Sequence, residues 1–344
     1  MITPIIFTLD YEIFGDGSGD PLLFQIANTQ RLCASLDLID AKMTVYVEFG
    51  QISFFRSQNG KGKYKEYYEV ICQQLKMLIK EGHDVQLHFH PSWEGAKLTE
   101  DGKLELTIND DISTIDYNVA LAWLVNGKEF LETLLKPINA AYECIAYRAG
   151  AFTAGHQQKY IKLLVDAGLK IDSSVLPGGS LNSFYGNYDY RSIDGPNTYR
   201  IGESLVDKKD YGLLVEYPIL TEVGLLSTMR YRNAHGIKNR RLMSANYKER
   251  ITDKGTNQYL ALVKKVLRGF AIADFNFLGA NELSAIIAAQ VAKETYNKYP
   301  MTLIGHSKFS FFNDELILLD MMLKAKRIAV KYMTVSEHYS TEYL

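Results

Sequence analysis

Two short segments place acids and imidazoles at spacings useful for chemistry: Asp10 and Glu12 in PIIFTLDYEIFGDG, and His88 and His90 in DVQLHFHPSW. Both segments have the β-branched and aromatic content of strands, and side chains two apart on a strand point to one side. Each pair therefore offers two groups in one direction. Brought together, two carboxylates and two imidazoles would make a divalent-metal site with one carboxylate left over as a base. Whether they meet depends on the fold.

The elements that must position them alternate along the chain. Strand candidates are Ile5–Tyr11, Thr44–Phe49, Asp84–His90, Glu143–Arg148, Lys170–Val175, Leu213–Pro218, Ile272–Leu278, Met301–His306 and Val330–Val335. Amphipathic helical stretches lie between them, among them Tyr64–Glu81, Tyr117–Leu135, His156–Ala167, Asn281–Tyr299 and Asn313–Ile328. Gly82, Gly168 and the Tyr299-Pro300 step stop three of these helices. Such alternation predicts an α/β fold with a parallel sheet. Eight or nine strands predict a single distorted β/α barrel of the TIM-like kind over residues 1–344, with an open doubly wound sheet as the alternative. Three stretches break the repeat and are expected as long loop insertions: Ser92–Asp116, Pro177–Asp210 and the basic Thr221–Thr256.

In a β/α barrel the site gathers at the C-terminal ends of the strands. Asp10 and Glu12 close the first candidate strand, His88 and His90 the third, and Arg148 the fourth. Asp172 and Ser174 close the fifth, Glu216 the sixth and His306 the eighth. Each residue also has a plain structural reading, as a barrel histidine held by hydrogen bonds, an acid capping a helix, or an arginine in an ion pair. His83 begins a strand at the opposite end and reads as structural.

Composition narrows the class. A net charge of −2 gives no electrostatic case for nucleic acid or an anionic membrane as partner. No segment has the length of a membrane-spanning helix, so no membrane insertion is expected. MITPIIFTLDYE has neither a basic start nor an apolar run of signal length. Cys33, Cys72 and Cys144 are odd in number, with no CxxC, and read as reduced thiols. A cytoplasmic place is the expectation. The 23 tyrosines, many in polar loops, are rings of the kind that stack on sugars.

The order of these segments resembles the polysaccharide deacetylase family, the NodB-like carbohydrate esterases. TLDYE stands where that family has TFDDG, GHDVQLHFHP resembles its histidine segment ending in HP, and YRAGAF takes the place of RxPY. IDSSVLP, LVEYP and LIGHSK resemble three later motifs. The resemblance implies metal-dependent removal of an acetyl group from a sugar or polysaccharide precursor, most simply with Zn2+. Asp10 would be the base, Glu12, His88 and His90 the metal ligands, Arg148 the holder of Asp10 and His306 the acid. Trp93, Phe152, Asp172, Ser174 and Glu216 would meet the substrate. Alternatives are hydrolysis of a non-sugar amide or a non-catalytic carbohydrate-binding protein. The chain departs from the pattern in three places. Tyr11 separates the two acids, the histidines are two apart, and Ala149–Gly150–Ala151–Phe152 replaces the proline and tyrosine of the arginine motif.

Overall fold

A computed structural model describes residues 2–58, 62–155, 157–224, 227–246, 269–293, 299–311 and 313–344. Within Thr221–Thr256, residues 225–226 and 247–256 therefore lie outside the described residues, as do His156 and residues 294–298 of two expected helices. Ten strands form one sheet: β1 (Ile2–Tyr11), β2 (Met43–Glu48), β3 (Asp84–Phe89), β4 (Ala146–Ala149), β5 (Ile171–Asp172), β6 (Tyr199–Ile201), β7 (Lys208–Lys209), β8 (Val215–Glu216), β9 (Met301–His306) and β10 (Ala329–Tyr332). The order is β7-β6-β8-β5-β4-β3-β2-β1-β9, with β10 also paired to β1. Pairing is parallel throughout except where β6 meets β8 and β7.

The sheet curls until its two ends meet. Ile219, just past β8, donates its amide to the Val175 carbonyl and bridges Thr302 of β9, and Asp274 bridges Ile304. Single bridges rather than a full ladder close the ring, so the α/β barrel is distorted. The expected strand over Ile272–Leu278 is cut short. Phe270–Ile272 pairs antiparallel with Thr221–Val223, and Asp274 then starts a turn by accepting from the amides of Phe277 and Leu278.

The described helices are α1 (Asn28–Asp37), α2 (Phe49–Ser57), α3 (Lys63–Lys80), α4 (Tyr117–Leu135), α5 (Gln157–Asp166), α6 (Ala234–Asn246), α7 (Ala280–Lys293), α8 (Asn313–Ala325) and α9 (Val335–Tyr343). None of the described helices is long and apolar enough to cross a membrane. The sequence α2, rich in phenylalanine, does not announce a helix. Glu48 makes it one by accepting from the Gly50 amide at its start.

Strand alternation divides the core into two. Ile5, Phe7, Leu9 and Tyr11 of β1, with Val45, Val47, Val85 and Leu87, face the helices in the larger cluster. The opposite parity faces the barrel axis, where Ile6, Tyr46, Ala146, Ile171, Val215 and Tyr217 meet Val335 and Tyr339 of α9. That helix plugs the barrel floor and opens on a capping box of Thr334 and Glu337. Above the plug the axial residues turn polar, in the sequence Ile6, Thr8, Asp10 along β1 and Gln86, His88 along β3. This change of character toward the C-terminal rim is what the sequence clustering reflects.

At the floor end, His83 Nδ1 accepts the Met43 amide at 3.2 Å and fixes where β2 begins. Burial, with Lys42 adding to it, pushes this imidazole down to about 4. The unfolded ring titrates near ~6.5, so its contribution to stability is complete above that pH and is lost as pH falls toward 4. His83→Asn keeps an acceptor but cannot titrate. Urea unfolding at pH 7 and pH 4.5 should show the native chain losing roughly 2–3 kcal/mol more than the variant. Parallel losses would show that His83 stays protonated in the fold.

Candidate metal and acid–base site

The parallel registers bring the strand ends to one rim. Asp10 lies opposite His306 on one side and Tyr46 on the other, while Glu48, His88 and Arg148 sit in register across β2, β3 and β4. Arg148 is the deepest of them, with no exposed surface. It donates from Nη1 to Asp10 Oδ1 at 2.6 Å, from Nη2 to Thr8 Oγ1 at 3.0 Å and Ser173 Oγ at 2.9 Å, and from Nε to the Ser173 carbonyl at 2.9 Å. The Tyr46 ring lies under the guanidinium, 4.2 Å from its centre. Burial alone would raise the Asp10 carboxyl, but Arg148, helped by His88 and His306, holds it below the ordinary aspartate value.

The two histidines are set by their other nitrogens. His88 Nδ1 donates to the Arg148 carbonyl at 2.8 Å, and His90 Nδ1 donates to Asp110 Oδ1 at 3.0 Å. A carbonyl and a carboxylate only accept, so in each neutral ring Nδ1 carries the proton and Nε2 presents its lone pair. Those lone pairs aim at one carboxylate oxygen, Glu12 Oε2, which is 3.8 Å from His88 Nε2 and 3.2 Å from His90 Nε2. His88 Nε2 is buried and has no hydrogen-bond partner among the described residues. Three electron-rich atoms converging in a buried spot need a cation between them, so the residues present fit a divalent ion. Without one, a proton serves. Burial opposes charging His90, yet Asp110 and Glu12 prevail and raise its ring well above the usual value.

Glu48 completes the cluster of His88, His90, Glu12 and Glu48 donor atoms, all within 4.8 Å of one another. Its carboxylate also accepts the His90 and Gly50 amides, both at 2.8 Å, which pins His90 as it leaves β3. Burial pushes Glu48 up to about 7 against the opposing pull of His90 and His88. Gly150 lies against His90, where an added Cβ would come within 2.6 Å of the ring and 2.9 Å of its Cα. Another Cys/Glu/His group, Cys33, Glu81 and His83, fails the lone-pair test. The Met43 amide occupies His83 Nδ1, leaving Nε2 as the protonated nitrogen.

LIGHSK contributes three consecutive residues to the rim. His306 sits between two acids, with Nε2 3.7 Å from Asp10 Oδ2 and Nδ1 3.4 Å from Asp274 Oδ2. Ser307 fastens the end of β1: its amide donates to the Asp10 carbonyl at 3.0 Å, and its hydroxyl accepts the Glu12 amide at 3.0 Å. Lys308 Nζ reaches Glu12 Oε1 at 2.5 Å. Burial would raise the Glu12 carboxyl, but Lys308 and the two histidines hold it well below the ordinary range.

The structure thus brings together Asp10, Glu12, His88, His90, Arg148 and His306. It places the other expected residues elsewhere. Strand parity turns Ser173 toward Arg148 and turns Asp172 and Ser174 the other way, toward α5, where the Tyr160 hydroxyl meets Asp172 at 2.7 Å and Ser174 at 3.0 Å. Glu216 lies beside them and accepts the Val175 amide. All three are fully buried, behind the rim rather than on it. Trp93 is buried against Phe54 and Phe55. Phe152 is half-buried at the rim with a left-handed backbone, φ 60°. Glu48, Asp110, Asp274, Ser173 and Lys308 have no signal in the sequence beyond lying near a strand end or in a loop.

No protein-family model matches the chain, and comparison with curated proteins returns no significant match. Solved structures do match. A structure from Mycobacterium smegmatis described as a candidate polysaccharide deacetylase has a TM-score of 0.50 at 14% identity, over 98% of this chain and 89% of that one. The 4-α-glucanotransferase of Thermococcus litoralis has a TM-score of 0.50 at 11% identity, over 100% of this chain but only 41% of that enzyme. At these identities the likeness is one of fold. The chain shares with both a distorted β/α barrel.

The Asp10–Arg148 pair yields a direct test. Removing one partner of a buried pair strands the other, at about 3–5 kcal/mol. Arg148→Met should lose that much in urea unfolding, and the double variant Asp10→Asn/Arg148→Met should recover a good part of it. Additive losses would mean that the two groups do not depend on each other.

Proposed function

We propose that this chain is a metal-dependent hydrolase that removes an acetyl group, most simply an N-acetyl group, from a sugar. The observation that carries the reading is the convergence of two fixed imidazole lone pairs on Glu12, beside an Asp10 that Arg148 keeps ionised and a His306 reaching the same aspartate. The barrel shared with polysaccharide deacetylases supports it, although a fold by itself does not choose a reaction.

His88, His90 and Glu12 would hold the ion, with Asp110 and the Arg148 carbonyl orienting the two rings from behind. A divalent ion there supplies Lewis-acid polarisation and makes water acidic enough to attack near neutral pH. Zn2+ suits a set of two imidazoles and a carboxylate. Asp10 accepts a proton from the attacking water, and Arg148 keeps the aspartate in place and charged while it does so. Water oxygen bonds to the acyl carbon, the C–N bond breaks, and His306 delivers a proton to the departing nitrogen. An amine leaves poorly without that proton, so an acid backed by Asp274 is what amide cleavage requires. The products are acetate and the free amino sugar. Phe152, half-buried just past β4, would touch the sugar.

The buried positions of Asp172, Ser174 and Glu216 assign them a supporting role in holding β5 and β8 behind Arg148, and Trp93 one in packing α2. The three cysteines are separate buried thiols, the state a reducing compartment maintains. That favours a sugar intermediate of cell-surface polysaccharide synthesis over an exported polymer.

Acetate release from N-acetylated amino sugars, with and without added Zn2+, checks the reaction. Activity should need the ion, and His88→Ala should abolish it; full activity after that substitution would reject the reading. His306→Ala should lower kcat on an N-acetyl sugar by about 10²–10⁴-fold, yet lower it far less on p-nitrophenyl acetate, whose leaving group needs no proton. Equal losses on both substrates would remove His306 from the acid role.

A further inference from the structure

Lys308 places a fixed positive charge on the carboxylate that the metal would need. Its Nζ is 2.5 Å from Glu12 Oε1, while the imidazole lone pairs address the other oxygen, Oε2. The side chain is largely enclosed, and the backbone on both sides of it is anchored. Asn28 Nδ2 donates to the Ser307 carbonyl at 2.8 Å and to the Phe309 carbonyl at 3.0 Å, and Ser307 is itself bonded to the end of β1. The Lys308 side chain is 13% exposed and that of Glu12 only 6%, so solvent screens the pair weakly.

From this geometry we infer that Lys308 sets the metal affinity of the site through its charge on Glu12, resting on the metal reading above. It does two opposing things. It holds Glu12 with one oxygen turned to the ion, which helps binding, and it repels a dication and draws off carboxylate charge, which hinders it. The repulsion is the larger effect. Glu12 is already confined by burial, by two rings and by the Ser307 bonds to its backbone, so the lysine adds little orientation, whereas a full unit charge beside a dication in a poorly solvated site is strongly felt. In exchange, Lys308 balances the buried Glu12 when no ion is bound, so the metal-free chain keeps its fold. A weaker, exchangeable metal site is the consequence.

The test is Zn2+ affinity, read by competition with a chromophoric chelator, for the native chain, Lys308→Met, Lys308→Gln and Lys308→Arg, together with the melting temperature of each metal-free protein. Lys308→Met and Lys308→Gln should bind Zn2+ about tenfold or more tightly than the native chain and melt lower when metal-free. Lys308→Arg, which keeps the charge, should stay within about threefold on affinity. Unchanged or weaker binding in both neutral variants, with native Zn2+ binding intact, overturns this inference alone. A native chain that binds no Zn2+ overturns the metal reading along with it.

Discussion

A guanidinium with no exposed surface sits on the axis of the barrel, and the rest of the rim is arranged to satisfy it. Arg148 is tolerable at that depth because Asp10 neutralises it, Thr8 and Ser173 accept three further N–H groups, and Tyr46 lies under its plane. Those groups come from β1, β2, β4 and the end of β5, so the arginine ties four neighbouring elements at one level. Its own carbonyl takes the His88 proton. One residue therefore fixes the charge of Asp10 and the tautomer of His88 together, which couples the base to the first of the metal-directed rings.

The rim is arranged around charge balance. Asp10 faces Arg148, Glu12 faces Lys308, and Asp110 faces His90. Glu48 forms no ion pair with a lysine or arginine among the described residues; burial pushes it toward neutrality against the pull of His90 and His88, while two backbone amides satisfy its oxygens. Among the described residues, His88 Nε2 and His306 Nδ1 are buried imidazole nitrogens of the rim without a hydrogen-bond partner, and His88 Nε2 is the one that faces Glu12. An ion placed there would meet His90 and Glu12 as well. His306 stands on the other side of Asp10, braced by Asp274, so the group that accepts a proton and the group that donates one flank the same spot.

Much of this was legible in the chain because strands write their faces at every second residue. The two-residue spacing of His88 and His90 and the run Ile6, Thr8, Asp10 both mark the axis. The alternation of strands and helices predicts the barrel that the structure has. Legibility failed where parity was uncertain by one residue. In IDSSV the serine that meets Arg148 is Ser173, and Asp172 and Ser174 fall on the helix side, because nothing in five residues tells which face begins the strand. It failed again for partners brought in by closure of the ring. Asp274 is read as part of a strand until the turn it starts is seen, and Asp110 lies in a polar insertion with no periodicity. Lys308 follows a recognisable histidine by two residues but looks like any solvated lysine after a strand. Their roles depend on contacts across long stretches of sequence, which local spacing does not record.

The central claim is that His88 and His90 offer Nε2, not Nδ1, to an ion that Glu12 shares. Crystals of the native chain soaked in Zn2+ and measured on both sides of the zinc absorption edge test it most directly. One anomalous peak is expected at about 2.0–2.2 Å from His88 Nε2, His90 Nε2 and a Glu12 oxygen. No peak at the rim, or a peak coordinated through Nδ1 or away from Glu12, would contradict it.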